Sequence, residues 1–230
     1  NFFYHDFGDF IFRWESHTEY SSYTVIKPNE GRTPFSQSAS ELLPAQWLDG
    51  LKGIRSGCLD VEIVTDPIYQ EGSAQLRALF DGHRIYGGEC LDRKAVLWTA
   101  VRVHDQGRGR ALIYSRDLLR SEAGYLLRSV MELDTYRNLA LVSLSLARRL
   151  LPEVKEQELM LAEVIERMAA IKTLQQEQQT LFDLSNIAAQ VERSISSTTY
   201  RFAATRAYAG LVDKRLNSIG ETPIRGVTTI

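Results

Sequence analysis

Alternate steps of three and four residues, begun at Leu181, land on Leu181, Leu184, Ala188, Val191, Ile195, Thr198, Phe202, Thr205, Ala209, Val212, Leu216 and Ile219, and ten of these twelve are apolar. A heptad seam sustained over that length is satisfied by a long helix with another helix laid along it. The second helix belongs either to the same chain or to a partner chain. An intramolecular hairpin is the simpler arrangement, because consecutive helices with short connections bury their stripes on each other. A homo-oligomer formed through the 181–219 seam is the alternative.

The chain upstream of the seam supplies helices that could serve. From about Asp117 the period turns helical, and Leu119, Leu126, Val130, Leu133 and Tyr136 form a stripe. Pro152 places the start of a second helix, since a missing N–H costs nothing in a first turn. Its stripe is Leu161, Val164 or Ile165, Met168 and Ile171. The Gln-rich stretch Lys172 to Gln179 interrupts the pattern and marks a tight turn or a stutter.

The first half is punctuated differently, with eleven of the 15 glycines and four of the six prolines falling in residues 1–115. Short strands and turns follow from that density of breakers. Phe10, Phe12 and Trp14 alternate with Asp9, Ile11, Arg13 and Glu15, and the run Tyr20 to Ile26 follows until Lys27-Pro28-Asn29-Glu30-Gly31 ends it, so the two segments read as an antiparallel pair. Pro44 to Leu51 reads as one short helix, Leu59 to Val64 as a strand ended by Asp66-Pro67, and Glu71 to Phe80 as a helix. Ala95 to Val103 and Ala111 to Tyr114 are two further strands, with Asp105-Gln106-Gly107-Arg108-Gly109-Arg110 as the hairpin between them. The fold class is therefore α+β: a head with an antiparallel sheet over residues 1–115, then long antiparallel helices over 116–230 forming a helical bundle or coiled coil.

Composition narrows the function classes. Lys+Arg 27 against Asp+Glu 29 gives a net charge of −2, without the basic footprint of a protein that wraps nucleic acid, so no nucleic-acid partner is expected. Cys58 and Cys90 form no C-x-x-C pair, which argues against a structural zinc site and a disulfide scaffold. The longest nearly apolar run, Leu139 to Ala147, is interrupted by Ser143 and Ser145 and falls far short of the ~20 residues that cross a bilayer. With no Met at residue 1 and no basic, then apolar, leader, the chain reads as the interior of a longer protein.

Four patterns invite a chemical reading. Glu15, His17 and Glu19 stand at i, i+2 and i+4, so one strand would project all three from the same face, as a metal-binding or proton-shuttling row would. A solvated sheet face opposite an aromatic one has the same pattern, and adding His5, Asp6 and Asp9 matches no metal spacing. Gly107-Arg108-Gly109-Arg110 lacks the Lys-Ser/Thr of a phosphate loop, and Gly87-Gly88, read as lying before a strand, lacks dinucleotide spacing. Asp134-Thr135-Tyr136-Arg137 and Thr199-Tyr200-Arg201-Phe202 put Tyr-Arg pairs inside helices. Arg137 and Arg201 are candidate structural ion pairs with Glu132, Asp134 or Glu192, at least one of them joining head to bundle, or else the two hold an anion together. No G-x-S-x-G elbow occurs and neither cysteine has an adjacent base, so no catalytic residue is assigned. No cofactor is assigned either.

The run Phe10 to Thr24, Phe-Ile-Phe-Arg-Trp-Glu-Ser-His-Thr-Glu-Tyr-Ser-Ser-Tyr-Thr, resembles the start of an uncharacterised membrane-anchored bacterial family catalogued as a domain of unknown function. Trp98-Thr99 with the Gly107 turn, Met131 to Leu141, and Tyr200 to Tyr208 agree with it in order. The resemblance implies a continuation beyond Ile230, through more helix, to a C-terminal membrane anchor, with this region on the cytoplasmic side of the bacterial inner membrane. In outline alone the arrangement is also similar to the cytoplasmic part of CorA-type magnesium transporters. The expected role is a non-catalytic scaffold or binding region; the alternative is a ligand- or ion-sensing domain.

Overall fold

The structure is a computed structural model and describes residues 1–28, 31–104 and 107–230. Asn29 and Glu30 of the expected strand terminator, and Asp105 and Gln106 of the expected hairpin, lie outside the described residues. The chain is α+β and divides into two compact units: Asn1–Asp134 together with Lys214–Ile230, and Thr135–Asp213.

The first unit holds two sheets. β1 (Phe2–Asp6), β2 (Ile11–Ser16) and β3 (Ser21–Ile26) form a three-stranded antiparallel sheet in that order. The short helix α1 (Ala45–Asp49) follows β3 and precedes β4 in the chain. The second sheet has β4 (Leu59–Val64), β5 (Tyr86–Cys90), β6 (Ala95–His104), β7 (Arg108–Ser115) and β8 (Thr222–Pro223) in the order β4-β7-β6-β5-β8. Helix α2 (Ala74–Leu79) falls in the crossover after β4, with Ser73 Oγ accepting from Leu76 N at its start.

The second sheet is buried on both faces, and the period of two in its central strands shows why. Val96, Trp98 and Ala100 of β6 join Leu112 of β7 and pack against Leu76 and Leu79 of α2 and Phe80 at its C-cap. The intervening Ala95 and Leu97, with Ala111 and Ile113, face Leu126 and Val130 of α3 (Arg120–Leu141) and Ile219 at the end of α5 (Leu174–Ile219). Alternate residues of one strand thus serve two cores.

The expected antiparallel sheet is present as β1-β2-β3, and the second sheet is mixed: β4 runs parallel to β7, because the chain passes through α2, β5 and β6 before β7 returns beside β4. Gly87-Gly88 lies within β5, not before a strand, and a Cβ on Gly87 would sit 2.3 Å from the Leu97 carbonyl oxygen and 2.5 Å from the Trp98 ring. Strands β1 and β8 also exist, held by pairing with β2 and β5.

The second unit consists of the end of α3, the helix α4 (Leu144–Met168) and most of α5. Helix α4 begins at Leu144, so Pro152 is inside it rather than at its start. The chain breaks at Val142-Ser143 instead, and the exposed flank around Arg148 and Pro152 lets water take the place of the absent N–H. The Gln-rich stretch is a tight turn closed by a capping box: Thr173 Oγ1 accepts from Gln176 N, while Gln176 Oε1 accepts from Lys172 N (2.9 Å) and Thr173 N (3.2 Å). Helices α4 and α5 run antiparallel, tied by Arg167 to Asp183 (2.6 Å) near the turn and by Thr205 Oγ1 to Ser143 Oγ (2.7 Å) at the far end.

The inner row of α5 departs from the expected seam in the first half of the helix and rejoins it in the second. Leu181, Ala188, Val191 and Ile195 are exposed while Thr180 and Ile187 are buried and Leu184 and Ser194 half-buried. From there on the seam residues Thr198 and Ile219 are buried and Phe202, Thr205, Val212 and Leu216 half-buried, with Ala209 exposed. Spacing alone fits Leu184 to a companion at either 180 or 181, and the helix turns the more polar of the two rows inward.

Candidate functional site

Register brings an aromatic face together on the small sheet. Phe3 stands opposite Trp14, and Trp14 opposite Tyr23; one step along, His5 stands opposite Phe12 and Phe12 opposite Val25. Directly opposed residues share a face, so all six project to the same side. Helix α1, begun after Pro44, brings Trp47 edge-on to Phe12 (5.6 Å, 86°) and to Tyr23 (5.6 Å, 83°).

The result is an open cleft of about 250 Å³ lined by Phe3, Phe12, Trp14, Tyr23, Trp47 and Leu51. Phe12 is buried and forms the floor, while Phe3, Tyr23 and Trp47 are 40–48% exposed and form the walls. The indole Nε1 of Trp14 is buried without a hydrogen-bond partner among the described residues. Beside the cleft, every residue of β1 is exposed, and β2 is its one strand partner among the described residues. The alternation at Phe12 and Trp14 was visible in the sequence. Phe3 and Trp47 were not, because strand pairing and a separate helix deliver them.

The sequence-predicted row Glu15, His17 and Glu19 does not continue along one strand. Strand β2 ends at Ser16, so Glu15 is on the strand, in an ion pair with Arg13 (2.6 Å), while His17 and Glu19 are in the turn before β3. His17 stacks on Tyr20 at 4.3 Å, and its amide donates to the Tyr20 carbonyl. Among the described residues no group of three His, Cys, Asp or Glu side chains is placed to hold a metal ion.

Arg137 on α3 and Arg201 on α5 are both half-buried and both belong to the second unit. Tyr136, beside Arg137, stacks on Tyr208 of α5 at 6.2 Å and 21°, whereas Tyr200, beside Arg201, is exposed. In the first unit, helix and sheet are tied by Lys94 to Glu122 (2.5 Å), and Arg215 of α5 pairs with Glu132 of α3, which also accepts from Arg128. The Lys94 ammonium holds the Glu122 carboxyl below its ordinary value, helped by the Leu119 amide. Sequence spacing could not show the Lys94 and Arg215 pairs, since their partners are remote in the chain.

A second polar cluster stands where α2 meets β6. His104 Nδ1 is 2.7 Å from Asp81 Oδ2, and Arg110 bonds both Asp81 (3.2 Å) and the Leu79 carbonyl (2.8 Å). His83 lies edge-on to His104 at 5.7 Å. Neither thiol is poised to react: burial pushes Cys90 up to about 12 and Cys58 above its ordinary value.

The sequence model of one protein family, described as Protein of unknown function (DUF3422), matches residues 1–230. No curated protein and no solved structure matches the chain.

Proposed function

The chain belongs to that family along its whole length, and we propose that it is a non-catalytic scaffold or binding region whose small sheet captures an extended partner segment in the aromatic cleft. The observation that carries this reading is the cleft itself: Trp, Tyr and Phe walls standing 40–48% exposed around a buried Phe12. Such side chains are the ones that anchor interfaces, since they offer large area at low rotamer cost.

The cleft's volume also selects its occupant. Whole small-molecule sites run to about 300–1,000 Å³, so a cleft of about 250 Å³ suits one or two apolar side chains of a peptide. The open edge of β1 runs beside it, where main-chain pairing would align such a peptide while a side chain enters between Phe3 and Trp47. In keeping with the family resemblance, the region works on the cytoplasmic side of the bacterial inner membrane, held there by a segment beyond Ile230.

Titration of the chain with a panel of extended apolar and proline-rich peptides, followed by tryptophan emission, tests this. Trp14 and Trp47 line the cleft, whereas Trp98 is buried in the larger sheet and serves as a constant background. Saturable shifts that disappear in Trp47→Ala support the proposal. Peptides that bind the Trp47→Ala variant equally well, or a panel that never saturates, defeat it.

A further inference from the structure

We propose that a second copy of this chain packs across the α4–α5 face, closing two helical hairpins into a four-helix assembly. The second unit spans Thr135–Asp213 and yet, among its apolar side chains, buries only Leu139, Val164 and Ile187. Val154, Leu161 and Ile165 of α4 and Leu181, Ala188 and Ile195 of α5 remain exposed. Inner rows carrying Ser143, Thr180 and Thr198 beside such apolar flanks invert the usual arrangement of a self-sufficient hairpin.

These six residues lie on one side of the hairpin. Leu161 and Ile165 follow the inner residues Met160 and Val164 by one position, as Leu181 and Ala188 follow Thr180 and Ile187. An antiparallel helix pair is related by a two-fold axis normal to its plane, and that rotation keeps each face on its own side. Equivalent flanks of α4 and α5 therefore coincide. The sevenfold spacing of Val154 to Leu161, and of Leu181, Ala188 and Ile195, is the spacing that a partner helix requires.

Area and charge both favour a second copy. Helix α4 has 25 residues, so the face extends over roughly 35 Å by 20 Å, about 700 Å², close to the ~800 Å² that each partner of a stable complex commonly buries. At its rim α4 carries the exposed Lys155 and α5 the exposed Glu192. The ties Arg167–Asp183 and Ser143–Thr205 fix which residues are level, and they put Lys155 within about one helical turn of the height of Glu192. A two-fold axis along the hairpin lays α4 of one copy on α5 of the other and brings Lys155 beside Glu192 of the second copy. Glu158 is the one charge inside the stripe, and it sets the register at a cost in affinity.

Sedimentation equilibrium of the 230-residue chain tests the arrangement, with circular dichroism to show that helix content is retained. Expected are a dimer for the natural sequence, a monomer for the Leu181→Asp, Ile195→Asp double variant, and a dimer still for Leu159→Asp, whose exposed side chain lies away from this face. Lys155→Glu weakens the dimer by about tenfold, adding Glu192→Lys restores it, and Glu158→Leu tightens it. A natural chain that stays monomeric throughout, a double variant that stays dimeric, or a charge reversal without restoration overturns the proposal.

Discussion

His104 Nδ1 and Asp81 Oδ2 meet at 2.7 Å, and the direction of that bond is fixed. The bond holds the Asp81 carboxyl below its ordinary value, and an ionised carboxylate only accepts, so Nδ1 carries the proton. In the neutral ring Nε2 is then an acceptor, and it is buried without a partner among the described residues. Asp81 itself is 47% exposed and can turn to water. The position therefore asks for a flat ring against Phe80 more than for a base. His104→Phe should cost less than ~1 kcal/mol, since it removes an orphaned nitrogen along with the bond, whereas His104→Ala should cost roughly 2–4 kcal/mol through the cavity it leaves. Urea unfolding of the two variants decides it; equal losses would show that the Asp81 bond dominates.

Gly87 and Gly124 should respond oppositely to the same change. At Gly87 the new methyl meets the Leu97 carbonyl and the Trp98 ring inside a sheet buried on both faces. Gly87→Ala should lose about 3 kcal/mol or more, because backbone cannot give way there. Gly124 is exposed in α3 with nothing within 4 Å of an added Cβ. Gly124→Ala should gain about 0.5–1 kcal/mol. Thermal and denaturant midpoints of both variants provide the check.

The β5–β6 connection holds Leu91, Asp92 and Arg93 in succession at φ of 51°, 54° and 68°. Left-handed backbone costs an L-residue roughly 1–2 kcal/mol, part of which glycine gives back through its looser unfolded chain. Asp92 is exposed, so Asp92→Gly should stabilise by about 0.5–1 kcal/mol. A loss on denaturant unfolding would mean that the aspartate makes a compensating contact.

Glu62 supplies a pH test. Burial pushes its carboxyl above the ordinary value, against the opposing effect of the Phe35 amide that it accepts at 2.7 Å. A carboxyl raised on folding favours the native state fully below its unfolded value of about 4.5, and that advantage fades as pH rises through the folded value. Glu62→Gln keeps an acceptor for Phe35 and removes the charge. It should therefore raise the melting temperature at pH 7 relative to the natural chain and lose that advantage near pH 4. An advantage of equal size at both values would remove ionisation as the cause.

Local signals were legible where they decide structure locally. The alternation through Phe12 and Trp14 gave β2, Leu59 to Val64 gave β4, and the stripe through Leu126 and Val130 gave α3. What stayed hidden is set by distant chain. Strand β8 is two residues long and exists through its pairing with Gly88 and Glu89, and nothing in Arg108–Ser115 announces that β4 will lie parallel to it. The aromatic cleft was half visible for the same reason: Trp14 and Phe12 show their period, while Phe3 and Trp47 depend on a register and a helix placement that no local pattern encodes. The break at Val142-Ser143 went unseen because Pro152 is the stronger breaker on paper, and an exposed helix flank tolerates it.

The return of residues 214–230 to the first unit has a consequence for synthesis. Thr228 bonds Gly87, Ile219 seals the face behind Leu97, and Ile230 donates to Glu221 Oε1. None of these can form while the chain is still emerging past Asp134. At about 5–20 residues per second, the ribosome needs roughly 4–16 s to pass from there to Lys214, so β5 leaves the exit tunnel with one edge bare and waits through the making of a whole helical hairpin. A nascent chain stalled before residue 214 should therefore be a far better client for chaperones than one stalled once residues 214–230 have left the tunnel.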